Sequence, residues 1–135
     1  MIQNINNMLR CGVFDSGIGG LTVAKELLGS FGSDIEIFYF ADFFHLPYGP
    51  RPLSEVSGFA LNIISFLFDE GVDIVVMGCN MSAASGAHNI WQEKSGKPVF
   101  EIINNNNDAQ MDILIKKILD YILKKEYDIK NKKSK

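Results

Sequence analysis

Residues that could carry acid–base chemistry stand at three points of the sequence, each at the end of a short apolar run. The first run ends in Asp15, the second in Asp42 and the third in Cys79. A carboxylate accepts hydrogen bonds from an ammonium group, and a thiolate can serve as a base or a nucleophile. The pattern therefore indicates a site for a small polar molecule.

Cys79 lies between a predicted buried strand and the predicted start of a helix. Unpaired backbone N–H groups and the helix dipole favour negative charge at such a position, and they lower the pKa of a thiol. We therefore expect Cys79 to be a reactive thiolate, with Asn80 and Ser82 at the same turn. The alternative is that Cys79 is a small buried hydrophobic residue and that Asn80 and Ser82 cap the helix.

The glycine cluster after Asp15, SGIGG, excludes the common nucleotide motifs. It has no Gly-Lys-Ser/Thr, and Thr22 occupies the last glycine position of a dinucleotide-binding loop. A phosphatase with Asp15 as its nucleophile would need a second acid nearby, where Gly17 stands. Backbone N–H groups at a helix start can bind a carboxylate, while Asp15 accepts from an ammonium group. An amino acid offers both groups.

The elements that must position these residues alternate between strand and helix. Apolar runs predict strands, and periodic runs predict helices. The strands are expected over 11–15, 35–41, 73–79 and 97–103, and the helices over 21–31, 55–70 and 82–95. Right-handed crossovers then give an α/β fold, an open four-stranded parallel sheet with helices on both faces. The carboxyl ends of its strands meet at one edge, where ligands bind.

The pattern changes after residue 103, so that residues 1–103 form the α/β domain. An asparagine-rich linker is expected over 104–110, an amphipathic C-terminal helix over 111–127 and a basic tail over 128–135. One side of the helix is apolar and carries Ile115, Ile118, Leu119, Ile122 and Leu123. We expect this side to pack on the domain, the alternative being that it mediates dimerisation.

Composition limits the class of protein. The 135 residues are 47% hydrophobic and 21% charged, as in a single globular domain. Residues 1–115 carry 5 basic and 13 acidic side chains, whereas residues 116–135 carry 8 and 3. An acidic body argues against nucleic acid as the main partner. No run approaches the ~20 apolar residues of a membrane span.

The N-terminal residues and the two cysteines indicate where the protein works. No secretory signal is visible before Cys11, so we expect a cytoplasmic protein. Cys11 and Cys79 cannot form a disulfide framework, and no Cys/His cluster has zinc-ligand spacing. We expect no metal site. Cys11 opens the first strand, about 13 Å from Asp15 at ~3.3 Å per residue, and is interpreted as a core thiol.

Three motifs together, GVFDSGIGGLTV, YFAD with LPYGPRP, and GCNMSAAS, resemble the amino-terminal half of bacterial glutamate racemases of the aspartate/glutamate racemase superfamily. The resemblance covers about residues 11–103. It implies cofactor-independent interconversion of L- and D-glutamate for peptidoglycan synthesis, with two cysteines exchanging the α-proton on opposite faces. Cys79 matches the first cysteine. The positions that match substrate-binding or pocket residues are Asp15, Ser16, Tyr48, Gly49, Asn80 and Ser82.

The sequence also departs from that family. The second lobe, with its own Cys-Thr-His motif, is missing, and Met81 stands where threonine is usual. Phe43 and Phe44 replace small polar residues, which makes the mouth of the crevice more apolar. We therefore expect a racemase relative truncated to one lobe, with full racemisation slow or absent. The alternative is a catalytically inactive module that binds an amino acid, glutamate or aspartate, or another protein. A homodimer is compatible with either.

Overall fold

The computed structural model describes residues 8–17, 19–78, 82, 84–102 and 108–133, in which strands alternate with helices. The elements are β1 (Leu9–Asp15), α1 (Leu21–Phe31), β2 (Ile35–Ala41), α2 (Leu53–Asp69), β3 (Ile74–Met77), α3 (Ala87–Ser95), β4 (Val99–Glu101) and α4 (Asp108–Lys133). The loop after β2 contains one 3-10 turn, Phe43–His45.

All four strands form one parallel sheet in the order β2-β1-β3-β4. β1 pairs with β2 from Leu9 opposite Ile35 to Asp15 opposite Ala41. On its other side β1 pairs with β3, and β3 pairs with β4. The predicted open four-stranded parallel sheet is confirmed. Because the strand order changes direction beside β1, the carboxyl ends of β1 and β3 flank the position where such sheets bind ligands.

Helices cover both faces of the sheet, as expected, because alternate side chains of each strand point to opposite sides. One layer, which we call the α1–α4 interior, is built from Leu9, Cys11, Val13, Val23, Leu27, Phe31, Ile35, Ile74, Val76, Ile102, Met111, Leu114, Ile118 and Ile122. On the opposite face α2 and α3 pack against Phe14, Val75 and Met77. The two layers share no strand residue and enclose the sheet.

The C-terminal helix packs on the domain but is longer than the sequence indicates. α4 begins at Asp108, inside the expected linker, and continues to Lys133, through most of the expected basic tail. Buried residues recur every three or four positions and end at Ile122, which is the spacing of one helix face. Leu123, expected on that face, is instead 56% exposed because it lies about 100° around the helix from Ile122.

The boundaries of α3, β3 and β4 also differ from those predicted from the sequence. Gly86 adopts a left-handed conformation with φ of +76°, which interrupts the helix expected over 82–95, so that α3 begins at Ala87. β3 and β4 are shorter than the predicted strands 73–79 and 97–103, of which residues 79 and 103 lie outside the described residues. None of the described helices has the length and apolar character needed to cross a bilayer.

Candidate functional site

The described part of the chain buries four polar or charged side chains, and three of them follow the strands. Asp15 ends β1, Asp42 follows β2, and Ser82 follows β3. The fourth, Ser57, lies within α2. A buried polar group is costly unless it is hydrogen-bonded, so its position normally reflects a structural or functional requirement. These requirements concentrate at the carboxyl ends of the strands.

The turn after β1 is folded around the Asp15 carboxylate. Asp15 Oδ1 accepts the Ser16 N–H at 2.7 Å, and Asp15 Oδ2 accepts the Gly20 N–H at 2.6 Å. A Cβ atom on Gly20 would lie 2.9 Å from Tyr39 Oη and 3.0 Å from Asp15 Cβ, so only glycine fits there. A carboxylate offers about four acceptor positions, so Asp15 keeps acceptor capacity beyond these two bonds.

The loop after β2 is folded around a second carboxylate, that of Asp42. Tyr48 Oη donates to Asp42 Oδ2 at 2.5 Å, and His45 Nδ1 lies 2.8 Å from the same oxygen. The His45 ring stacks on Phe59 with centroids 3.7 Å apart. Phe44 in the same loop is 89% exposed, in agreement with the apolar mouth expected from the sequence. His45 and Tyr48, three residues apart in the loop, are thereby held to one oxygen of the buried Asp42.

Backbone contacts join the three strand ends. The Asp42 N–H donates to the Asp15 carbonyl at 2.9 Å, and the Gly78 N–H donates to the Phe14 carbonyl at 2.8 Å. A Cβ atom on Gly78 would lie 3.2 Å from Gly20 Cα, which means that the glycine turn and the end of β3 are in contact. We call residues 15–17, 19–20, 42–49 and 78 the carboxyl edge. The ends of β1 and β2 and the residue that follows β3 therefore lie together.

The predicted site residues differ in their exposure to solvent. Asp15, Tyr48 and Ser82 are buried, whereas Ser16 is half-buried and Gly49 is exposed. Ligand contact from solvent is therefore most open to Ser16 and to the Gly49 backbone. Asp15, at 6% exposure, accepts hydrogen bonds within its turn, and Tyr48 supports its loop through Asp42.

Ser82 has a different environment from the other buried residues. Its residue exposure is 0%, and within the described part of the chain its Oγ atom has no hydrogen-bond partner. Three further residues at this strand end, Cys79, Asn80 and Met81, lie outside the described residues.

Sequence reasoning missed the central role of Asp42. It was recognised as a strand end but was not included among the site residues. The available signal is its position, because Asp42 directly follows β2 and Asp15 is the last residue of β1. Its pairing with Tyr48, six residues later, depends on the path of the loop and cannot be found from spacing alone.

The thiol in the described part of the chain, that of Cys11, lies outside this edge. Cys11 is fully buried in β1, as expected for a core thiol, and burial, followed by the charge of Asp73, raises the pKa of its thiol well above the ordinary range. Within the described ranges no three His, Cys, Asp or Glu side chains are grouped as a metal site requires.

Comparison with known proteins agrees with this architecture. The chain is 38% identical over 92 residues to a glutamate racemase of Leifsonia xyli, which is 68% of this chain and 33% of the relative. It superposes on the Thermus thermophilus glutamate racemase, solved with β-chloro-D-alanine, with a TM-score of 0.66 and 40% identity. That superposition covers 71% of this chain and 37% of the other. This chain is a relative of the glutamate racemases over part of their length.

A second solved glutamate racemase, from Francisella tularensis in complex with D-glutamate, gives a TM-score of 0.64 at 36% identity. This superposition covers 71% of this chain and 36% of that protein. The chain thus spans about a third of the length of the glutamate racemases it matches. No protein-family model matches the sequence.

Proposed function

We propose that the carboxyl edge binds glutamate and that Cys79 exchanges its α-proton, which is one half of a racemase reaction. The observation that carries this proposal is the concentration of buried polar groups at the ends of β1, β2 and β3. The relationship to glutamate racemases, one of them solved with D-glutamate, supports the choice of ligand.

In this proposal the described residues divide the binding work. The half-buried Ser16 and the exposed backbone of Gly49 contact the amino acid, and the remaining acceptor capacity of Asp15 receives its ammonium group. Asp42 and Tyr48 hold the Gly49 loop in position. Asn80 and Ser82 are assigned to the same site through the resemblance to the racemases.

The chemical step assigned to Cys79 is a proton transfer. The thiolate takes the α-proton, the S–H bond forms as the C–H bond breaks, and the electron pair stays on the α-carbon and its carboxylate. The thiol proton then exchanges with water, and its return to the same face restores the original enantiomer. Inversion needs a donor on the opposite face, so one thiol gives exchange with little inversion.

The proposal is tested by proton NMR of the protein with L-glutamate in D2O. We expect the α-proton signal to decline while the amino acid remains mainly L-glutamate. Cys79→Ser should abolish the decline. Cys11→Ala is the matched control, since it removes the other thiol from the core and should leave the exchange rate within about twofold of the unsubstituted protein.

Three outcomes would change the proposal. Exchange that survives Cys79→Ser would remove the thiol from the mechanism. Exchange with complete inversion would require a second base, for example one contributed by a second copy of the chain. Binding of L-glutamate without any exchange would contradict the catalytic part and support an amino-acid-binding module.

A further inference from the structure

A second concave surface lies away from the carboxyl edge, between α4 and the turn that leads into β4. It is a groove of about 550 Å³. Its lining residues are Gln92, Gly96, Lys97, Pro98, Phe100, Lys117, Asp120, Tyr121 and Lys124. The volume lies within the range of small-molecule sites. Because one wall is α4, the groove depends on the helix that follows the α/β domain.

The side chains that line the groove carry an excess of positive charge. Lys117 and Lys124 lie two helical turns apart on α4, and neither forms an ion pair with any described residue. The single acidic lining residue, Asp120, lies 3.5 Å from Lys116 Nζ, and the lining carries three lysines, Lys97, Lys117 and Lys124, against this one carboxylate. The groove therefore presents two free ammonium groups.

An aromatic surface lies between these lysines. Tyr121 occupies the position one turn after Lys117 and one turn before Lys124, so the three side chains share one face of α4. Its ring packs edge-on against Phe100 of β4, with centroids 6.4 Å apart. Lys125 Nζ also lies over the Tyr121 ring, 5.9 Å from its centroid. A flat ring in the groove would meet the remaining surface of these two half-buried aromatic residues, while a charged substituent would reach the lysines.

One main-chain acceptor at the neighbouring edge of β4 is not available for strand pairing by a peptide. Gln92 Nε2 donates to the Val99 carbonyl at 2.7 Å and so occupies a main-chain acceptor of this edge strand. Lys97 Nζ lies 5.3 Å from the Phe68 ring centroid. These contacts favour a compact ligand over an extended chain.

We propose that this groove binds a small organic anion in which a flat ring carries a phosphate or carboxylate group. The ring packs on Tyr121 and Phe100, and the anionic group lies between Lys117 and Lys124. This site is separate from the carboxyl edge and does not depend on glutamate binding there.

The test is a titration of the full-length 15N-labelled chain with phenyl phosphate, benzoate and inorganic phosphate, followed by the backbone amide signals. Saturable shifts are expected at Gly96, Phe100 and Tyr121. The double variant Lys117→Glu with Lys124→Glu should raise the Kd at least tenfold. The matched control, Lys130→Glu with Lys132→Glu, makes the same charge change on the same helix outside the groove and should alter the Kd less than twofold.

The result also distinguishes the two anion types. Tighter binding of phenyl phosphate assigns the groove to phosphate esters, and tighter binding of benzoate assigns it to carboxylates. The proposal is overturned if no probe gives saturable shifts at these amides, if inorganic phosphate binds as tightly as phenyl phosphate, or if both pairs of lysine substitutions weaken binding equally.

Discussion

The α1–α4 interior and the carboxyl edge are both buried, but different interactions hold them. In the interior, apolar side chains such as Val13, Leu27 and Ile118 are 0% exposed and pack without polar partners. At the edge, Asp15 and Asp42 are 6% and 5% exposed and are held by directional hydrogen bonds. The free energy gained by burying apolar surface is roughly proportional to the buried area, whereas a hydrogen bond forms only within a narrow range of distance and angle.

Under the proposed function, this difference reflects a requirement for polar groups at the edge. The interior could be filled by many apolar residues of similar volume. The edge uses carboxylates, whose desolvation is costly and which an apolar turn would avoid. Buried carboxylates are expected there if the edge must present polar groups to a ligand.

The largest effect is expected in the interior, from Ile118→Asp. The substitution places an unpaired charge at a position that is 0% exposed and should lower the free energy of unfolding by more than about 4 kcal/mol. Chemical denaturation followed by circular dichroism measures the change. Ile113→Asp, at a 49% exposed position of the same helix, should change it by less than about 0.5 kcal/mol. Equal stability of both variants would contradict the packing of α4.

A smaller effect is expected at the edge, from Asp15→Ala. The variant leaves the Ser16 and Gly20 N–H groups without their acceptor, which should cost about 2–3 kcal/mol of unfolding free energy. Asp15→Asn keeps one acceptor oxygen and should cost about 1 kcal/mol. Denaturant midpoints compare the two variants. If Asp15→Ala is as stable as the unsubstituted protein, the carboxylate does not organise the turn.

The smallest effect is expected from the pH dependence of Cys11. Burial, and to a lesser extent Asp73, raises the pKa of this thiol in the folded state, while the unfolded chain ionises near pH 9. The contribution of the neutral buried thiol is therefore complete below about pH 9 and declines above it, by up to about 1.4 kcal/mol per pH unit. Raising the pH from about 8 to about 10.5 should lower the stability of the unsubstituted protein more than that of Cys11→Ala, by about 1–2 kcal/mol. A parallel decline in both proteins would show that Cys11 does not contribute.

Much of the interior follows from the sequence because its signal is local. Apolar runs such as IEIFYFA predict the strands, and the alternation of strands with periodic helices predicts that the strands run parallel. The interruption at Gly86 was missed because a glycine within a helical pattern shows its backbone conformation only in the folded chain. The length of α4 was missed because its last turns are polar and carry no periodic apolar signal.

The carboxyl edge was predictable in part. The strand-end positions of Asp15 and Asp42 identified the loops, and the glycine turn identified the helix start. Which of these residues support the loops and which are exposed depends on hydrogen bonds that the loop geometry sets. The spacing of residues along the sequence does not determine that geometry. Asp42 is the clearest example, because its partners His45 and Tyr48 are selected by the fold of a proline-containing loop.

The central claim, that the carboxyl edge is an amino-acid site, is tested most directly by titrating the 15N-labelled chain with L-glutamate. The account predicts saturable shifts of the Ser16, Gly20 and Gly49 amides, with the amide of Tyr121 on α4 unchanged. Loss of these shifts in Asp15→Ala but not in Ile113→Asp would connect binding to the turn. Shifts confined to α4, or no saturable shift at the edge, would contradict the claim.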